Sequence, residues 1–149
     1  MKNDRYTDQI LQILKIDGRI SNAELADRVG LSPSACLRRV QELERVGVIK
    51  GYRAILDAQQ LGHGFTAYVA VGLSEHTKEA QKGFELAITQ SSEVLECHNV
   101  TGPYEYLLRV ETADLRSYKA FHTDVLGMLP QVATISTHVL MESSKDERG

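Results

Sequence analysis

Between Arg28 and Arg53 the bases Arg28, Arg38, Arg39, Arg45, Lys50 and Arg53 face only two acids, Glu42 and Glu44. Six against two makes this stretch +4, so the formal net charge of -3 for the 149 residues leaves -7 elsewhere. A local cationic surface on an otherwise acidic chain is what phosphate binding requires, because distant acids do little to a basic patch. The residue types sharpen this. At 100° per residue Ser34, Arg38, Gln41 and Arg45 fall on one side of a helix with Arg39 on its flank, while Cys36, Val40, Leu43 and Gly47 fall on the other, with Leu37 beside them. Arginine pairs bidentately with guanine, glutamine with adenine, and serine with a base or a phosphate.

The elements that would carry this row are legible around it. Ile10, Leu11, Ile13, Leu14 and Ile16 form a broad apolar stripe ending before Asp17-Gly18, which predicts a first helix. Ser21-Asn-Ala-Glu24 reads as a capping box opening a second helix, which Gly30 ends. Ser32 as N-cap and Pro33 at the first helical position restart the chain at once. Two helices joined by a tight glycine-containing turn predict a helix-turn-helix. Val48 to Leu56 reads as two short strands turning near Lys50-Gly51, a wing whose Lys50 and Arg53 would meet phosphate. The expected DNA contacts are Ser32, Ser34, Ala35, Arg38, Arg39, Gln41, Arg45, Lys50 and Arg53.

Residues 57–64, with Asp57, two glutamines and two glycines, read as a linker between modules 1–56 and 65–149. Beyond it the period changes. Phe65 to Leu73 alternates as a strand. Ala80, Phe84, Ala87 and Ile88 recur as a helix capped by Thr77. Val94 to Thr101 and Tyr104 to Thr112 pair about Gly102-Pro103, Asp114 caps a helix that Pro130 stops, and Val132 to Met141 is a last strand. The order βαββαβ predicts a ferredoxin-like sheet with both helices on one face. The expected class is therefore α+β, a winged helix-turn-helix followed by a ferredoxin-like module. Phe, Tyr, Val and Leu on the uncovered face would make it an oligomer interface, and the tail from Glu142 reads as frayed.

Cys36 and Cys97 lie far apart and outside any CxxC pattern, and read as buried apolar residues. His63, His76, His98, His122 and His138 lack ligand spacing, so no metal site is expected. With no GxSxG, HExxH, GxGxxG or P-loop, neither catalysis nor a cofactor is expected. No apolar run approaches membrane length and the first residues are polar, so the expected location is the cytoplasm.

The string Asp8-Gln-Ile-Leu11, Asp17-Gly-Arg-Ile-Ser21, Val29-Gly-Leu-Ser-Pro-Ser34, Cys36-Leu-Arg-Arg-Val40, Gly47-Val-Ile49 and Gly51-Tyr52 resembles the Lrp/AsnC family of transcription regulators. Glu96-Cys-His98, Gly102, Tyr104 to Leu107, Leu129-Pro130 and Val139 to Glu142 resemble its C-terminal RAM domain. The resemblance implies double-stranded DNA as partner and a homodimer built by pairing sheets, commonly a tetramer or octamer. It also implies an amino-acid effector held near the loop joining the middle strands, here Thr101, Gly102, Tyr104 and Glu105, with Thr134, Ser136 or Thr137 of the last strand offered to a carboxylate if they face the cleft. The family usually has an acid directly after the glycine and Asp before the final aromatic. This chain has Pro103 and Glu105, which removes one acceptor for an ammonium and one backbone donor. The other reading of the residues is a metabolite-binding assembly protein whose helical region makes protein contacts.

Overall fold

The structure, a computed structural model, describes residues 4–148; residues 1–3 and 149, at the ends of the two expected modules, lie outside the described residues. The chain divides into two units on either side of Ile55 and Leu56.

In the first unit, α1 spans Arg5–Ile16, α2 Asn22–Val29 and α3 Pro33–Arg45. Each start is capped by a side chain accepting an amide that the helix leaves unpaired: Asp4 from Thr7, Ser21 from Glu24, Ser32 from Ala35. Gly30 sits at φ +78°, the left-handed turn that lets its own amide and that of Leu31 close on α2 carbonyls before α3 begins. Ile10, Leu25, Ala26, Val29, Cys36 and Leu43 form the buried core, with Val40 and Ile49 packed against it. Burying each larger aliphatic side chain contributes about 1.5–3 kcal/mol.

Three local expectations are corrected. Ser21 does cap α2, but Glu24 does not reach back to close a capping box; its carboxylate pairs instead with Arg28 at 2.7 Å. Gly47 is not on the buried face of α3: it follows the helix end at φ +82° and is exposed. The wing strands are absent, since residues 46–64 contain no strand and Val48, Ile55 and Leu56 are exposed. A two-stranded ribbon without a third strand or a covering helix has too little apolar contact to hold itself together. The segment is instead pinned by Tyr52, whose hydroxyl donates to Glu44 at 3.2 Å and whose ring lies against Gly18.

In the second unit, β1 (Phe65–Leu73), α4 (Lys78–Thr89), β2 (Val94–Asn99), β3 (Tyr106–Thr112), α5 (Leu115–Asp124) and β4 (Val132–Val139) follow in the expected order. The sheet is antiparallel with order β2-β3-β1-β4, the ferredoxin-like arrangement. Residues 57–64 form a turn in which Asp57 Oδ1 accepts from the amides of Gln59 and Gln60. α5 ends at Asp124 and a 3-10 turn, Leu126–Met128, carries the buried Leu126. β2 and β3 end short of the expected Thr101 and Tyr104, although Glu105 still closes the hairpin, its carbonyl accepting from the Val100 amide and its own amide donating to Val71 O of β1.

The register decides which face is which. Ala67, Val69, Val71 and Leu73 of β1 and Tyr106, Leu108 and Val110 of β3 pack with Phe84, Ile88, Tyr118 and Phe121 from the helices. The opposite face is therefore not the apolar sheet that was expected. It carries Tyr68, Ala70 and Gly72 of β1, Leu107, Arg109 and Glu111 of β3, Glu96 and His98 of β2, and Thr134, Ser136 and His138 of β4. The tail is not frayed either. Arg148 returns to this face, gripping Glu96 and Asp146 and approaching the Tyr68 hydroxyl, which also accepts from Arg109 at 2.7 Å.

Candidate nucleic-acid interface and effector site

α3 presents Ser32, Ser34, Arg38, Gln41 and Arg45 to solvent, with Ala35 half-buried at its first turn. Its entry is held by Asn22, whose side-chain amide donates to Pro33 O at 2.8 Å and ties the start of α2 to the start of α3. Ser32 Oγ, besides capping the helix, lies 3.3 Å from Ser34 Oγ.

The bases separate into two groups. Arg45 is held bidentately by Glu42 at 2.6 and 2.8 Å, and Arg28 by Glu24. Arg39 points toward α1, donating to both oxygens of Asp4 at 2.8 Å and to Thr7 Oγ1, with its guanidinium 5.3 Å from the Tyr6 ring centroid. These contacts, first the Thr7 amide and then Arg39, hold the Asp4 carboxyl at about 2, well below its ordinary range. Arg38, Lys50 and Arg53 are exposed and make no ion pair with the described residues, so their charge is available to another molecule. Helical spacing puts Arg38 and Arg39 side by side; it carries no information about an acid 35 positions upstream. Asp4 was recognised from sequence neither as the cap of α1 nor as the partner of Arg39.

On the second unit, Glu105 and Thr134 converge, and Thr137, on the other face of β4, pairs with the Tyr118 hydroxyl instead. A Cβ on Gly72 would lie 2.3 Å from Thr134 Oγ1 and 3.7 Å from Glu105 Oε2, so the hydroxyl and the carboxylate stand over one glycine. Ser136 is next along the same face of β4, opposite Ala70. Glu105 is only 17% exposed: Oε2 accepts from the Leu73 amide at 2.7 Å, and Oε1 lies 2.9 Å from His76 Nδ1. Thr101 and Gly102 are exposed and Tyr104 half-buried on the loop that precedes it. His76 and Gly72 were not recognised from sequence. His76 lies in a connection with no ligand-like spacing, and Gly72 looked like one more small residue in an alternating strand.

Neither thiol suits nucleophilic work. Burial raises the Cys36 thiol, and burial with the nearby Glu85 pushes Cys97 to about 11. Among the described residues no group of three His, Cys, Asp or Glu side chains could hold a metal ion, and no helix is long and apolar enough to cross a membrane.

Residues 4–50 match the model of a winged helix-turn-helix DNA-binding domain, and residues 66–149 match that of the Lrp/AsnC ligand binding domain. The chain is 40% identical over 142 residues to the leucine-responsive regulatory protein of Escherichia coli, covering 95% of this chain and 87% of that one. It is 39% identical over 143 residues to a proline dehydrogenase transcriptional activator of Rhizobium radiobacter, covering 96% and 92%. Among solved structures, a transcriptional regulator from Neisseria meningitidis in complex with L-Met superposes with a TM-score of 0.93 at 32% identity, over 97% of this chain and 94% of that one. With a helix-turn-helix whose outward row is cationic, a ferredoxin-like sheet following it in the chain, and both halves matching along nearly their whole length, the chain belongs to the Lrp/AsnC family of transcription regulators.

Proposed function

We propose that this regulator reads duplex DNA with α3 and is controlled by a free α-amino acid bound beside Glu105. The observation that carries the first part is the sorting of bases on one helix: Arg39 and Arg45 are held by Asp4 and Glu42, while Arg38 stands exposed beside Ser34 and Gln41. In this reading Ser34, Ala35, Arg38 and Gln41 meet base edges, and Ser32, Arg45, Lys50 and Arg53 meet phosphates. Arg39 acts one step back, holding α3 against the start of α1.

For the effector, Glu105 supplies the acceptor for an ammonium, and Thr134 and Ser136 supply hydroxyl donors for a carboxylate, with Thr101, Gly102 and Tyr104 bordering them. A relative of this fold was solved with L-Met, which favours that ligand class. The protein works in the cytoplasm as a homodimer or a larger closed assembly, and no step of its action is catalytic.

The test is a pull-down of genomic fragments with the purified protein, followed by anisotropy titration of the enriched duplex. Specific, steeply salt-dependent binding is expected, because each phosphate contact releases counterions. Absence of any duplex binding at moderate salt would leave only the assembly-protein reading.

A further inference from the structure

Glu105 already holds a partner on each carboxylate oxygen. Its inner oxygen is committed to the Leu73 amide, where β1 ends in a bulge against β4; its outer oxygen faces His76 at 2.9 Å. His76 is not a loosely placed side chain. Two residues before it, the Ser74 amide and hydroxyl both donate to Gln131 O; directly after it, Thr77 caps α4 by accepting from Ala80. The backbone is thus tied on both sides, and the imidazole, 78% exposed, is delivered to the carboxylate.

Resting on the effector reading above, we infer that His76 is a built-in competitor for the effector's ammonium, so that it sets the affinity and selectivity of the site. Pro103 offers no acid, which leaves Glu105 Oε1 as the acceptor that both groups want. An α-amino acid that brings its ammonium to Oε1 meets the imidazole already there and competes with it, its carboxylate lying on the Thr134 and Ser136 side. The apparent affinity is then reduced by the fraction of molecules in which His76 occupies the carboxylate. Ligands that bring further contacts overcome the competition; a bare ammonium does not.

The experiment is calorimetric titration of the full chain with each of the twenty L-amino acids, for wild type, His76→Ala, His76→Lys and Glu105→Gln, with circular dichroism confirming folding. Gln at 105 keeps an acceptor for the Leu73 amide. Removing the competitor tightens binding about two- to tenfold, the range of a single hydrogen bond, and Lys, a permanent cation in the same place, weakens it. Weaker binding in His76→Ala, or no change in either His76 variant, overturns the inference. Unchanged binding in Glu105→Gln, or no binding by wild type and His76→Ala alike, overturns the placement of the effector site itself.

Discussion

Cutting Arg38 back to Ala, if its guanidinium meets a guanine edge, removes a bidentate pair worth about 1–3 kcal/mol. That corresponds to about 5- to 150-fold in affinity for the preferred duplex. Folding stability should hardly move, since Arg38 is exposed and makes no contact in the core, and surface changes of that kind stay within about 0.5 kcal/mol. Arg39→Ala, one residue on, should behave in the opposite sense: it strips the Asp4 carboxylate and the Thr7 hydroxyl of their partner, lowering Tm while leaving sequence preference intact. The assay is fluorescence anisotropy with the preferred duplex and a scrambled one at several salt concentrations, beside thermal denaturation of each variant. Loss on the preferred duplex alone, with the salt dependence unchanged, means base contact. Equal loss on both, with the slope of log K against log salt falling by about 1, means phosphate contact. If Arg38→Ala changes neither duplex, or if Arg39→Ala alone loses the preferred one, the reasoning that divides the bases by their partners is refuted.

Other outcomes follow from single contacts. Gly72→Ala should destabilise the second unit, because its Cβ would come within 2.3 Å of Thr134 Oγ1; denaturant titration should show the loss recovered in the Gly72→Ala, Thr134→Ala double variant and not in an unrelated pair. The buried Tyr106 hydroxyl makes no well-formed hydrogen bond among the described residues, though the Glu85 carboxylate lies near enough to join burial in pushing it up to about 12. Since an unsatisfied buried group costs about 1–3 kcal/mol, Tyr106→Phe should be neutral or stabilising, and a clear drop in Tm would show that the hydroxyl is engaged. Asp4 is held at about 2 against an ordinary 3.8, so its contribution to stability is present above 3.8 and is withdrawn as pH falls through 2. Urea midpoints measured from pH 5 to pH 2 should therefore fall less steeply in Asp4→Asn than in wild type; parallel curves would count against the cap and ion pair as the cause.

What was legible in the sequence was whatever a few neighbouring residues decide. Ser21, Ser32, Thr77 and Asp114 cap helices because a short polar side chain and an amide three positions on need nothing else. The alternation from Phe65 to Leu73 revealed a strand, yet the residue types alone did not say that its branched side chains turn toward the helices and leave Tyr68, Ala70 and Gly72 on the open side; that depends on register with β3 and β4. The same limit explains the wing, where Val48 to Leu56 has strand-forming residues but no pairing partner in the chain. It also explains Arg39 and Glu105, whose partners Asp4 and Leu73 lie more than thirty positions away. Glu24 shows a nearer competition: a carboxylate that could return to Ser21 is claimed instead by an arginine one turn ahead.

The helix pair that presents α3 is braced by Ser21, Asn22, Gly30, Cys36 and Leu43, whereas Ser34, Arg38 and Gln41 touch that frame among the described residues only through the Ser34–Ser32 hydroxyl contact. If α3 reads DNA as proposed, evolution can therefore rewrite what the regulator recognises without putting its folding at risk, and so can an engineer who randomises those three positions. Ser32 is the exception: its hydroxyl starts the helix and also stands among the outward residues, so it is the place where drift in recognition and loss of scaffold arrive together.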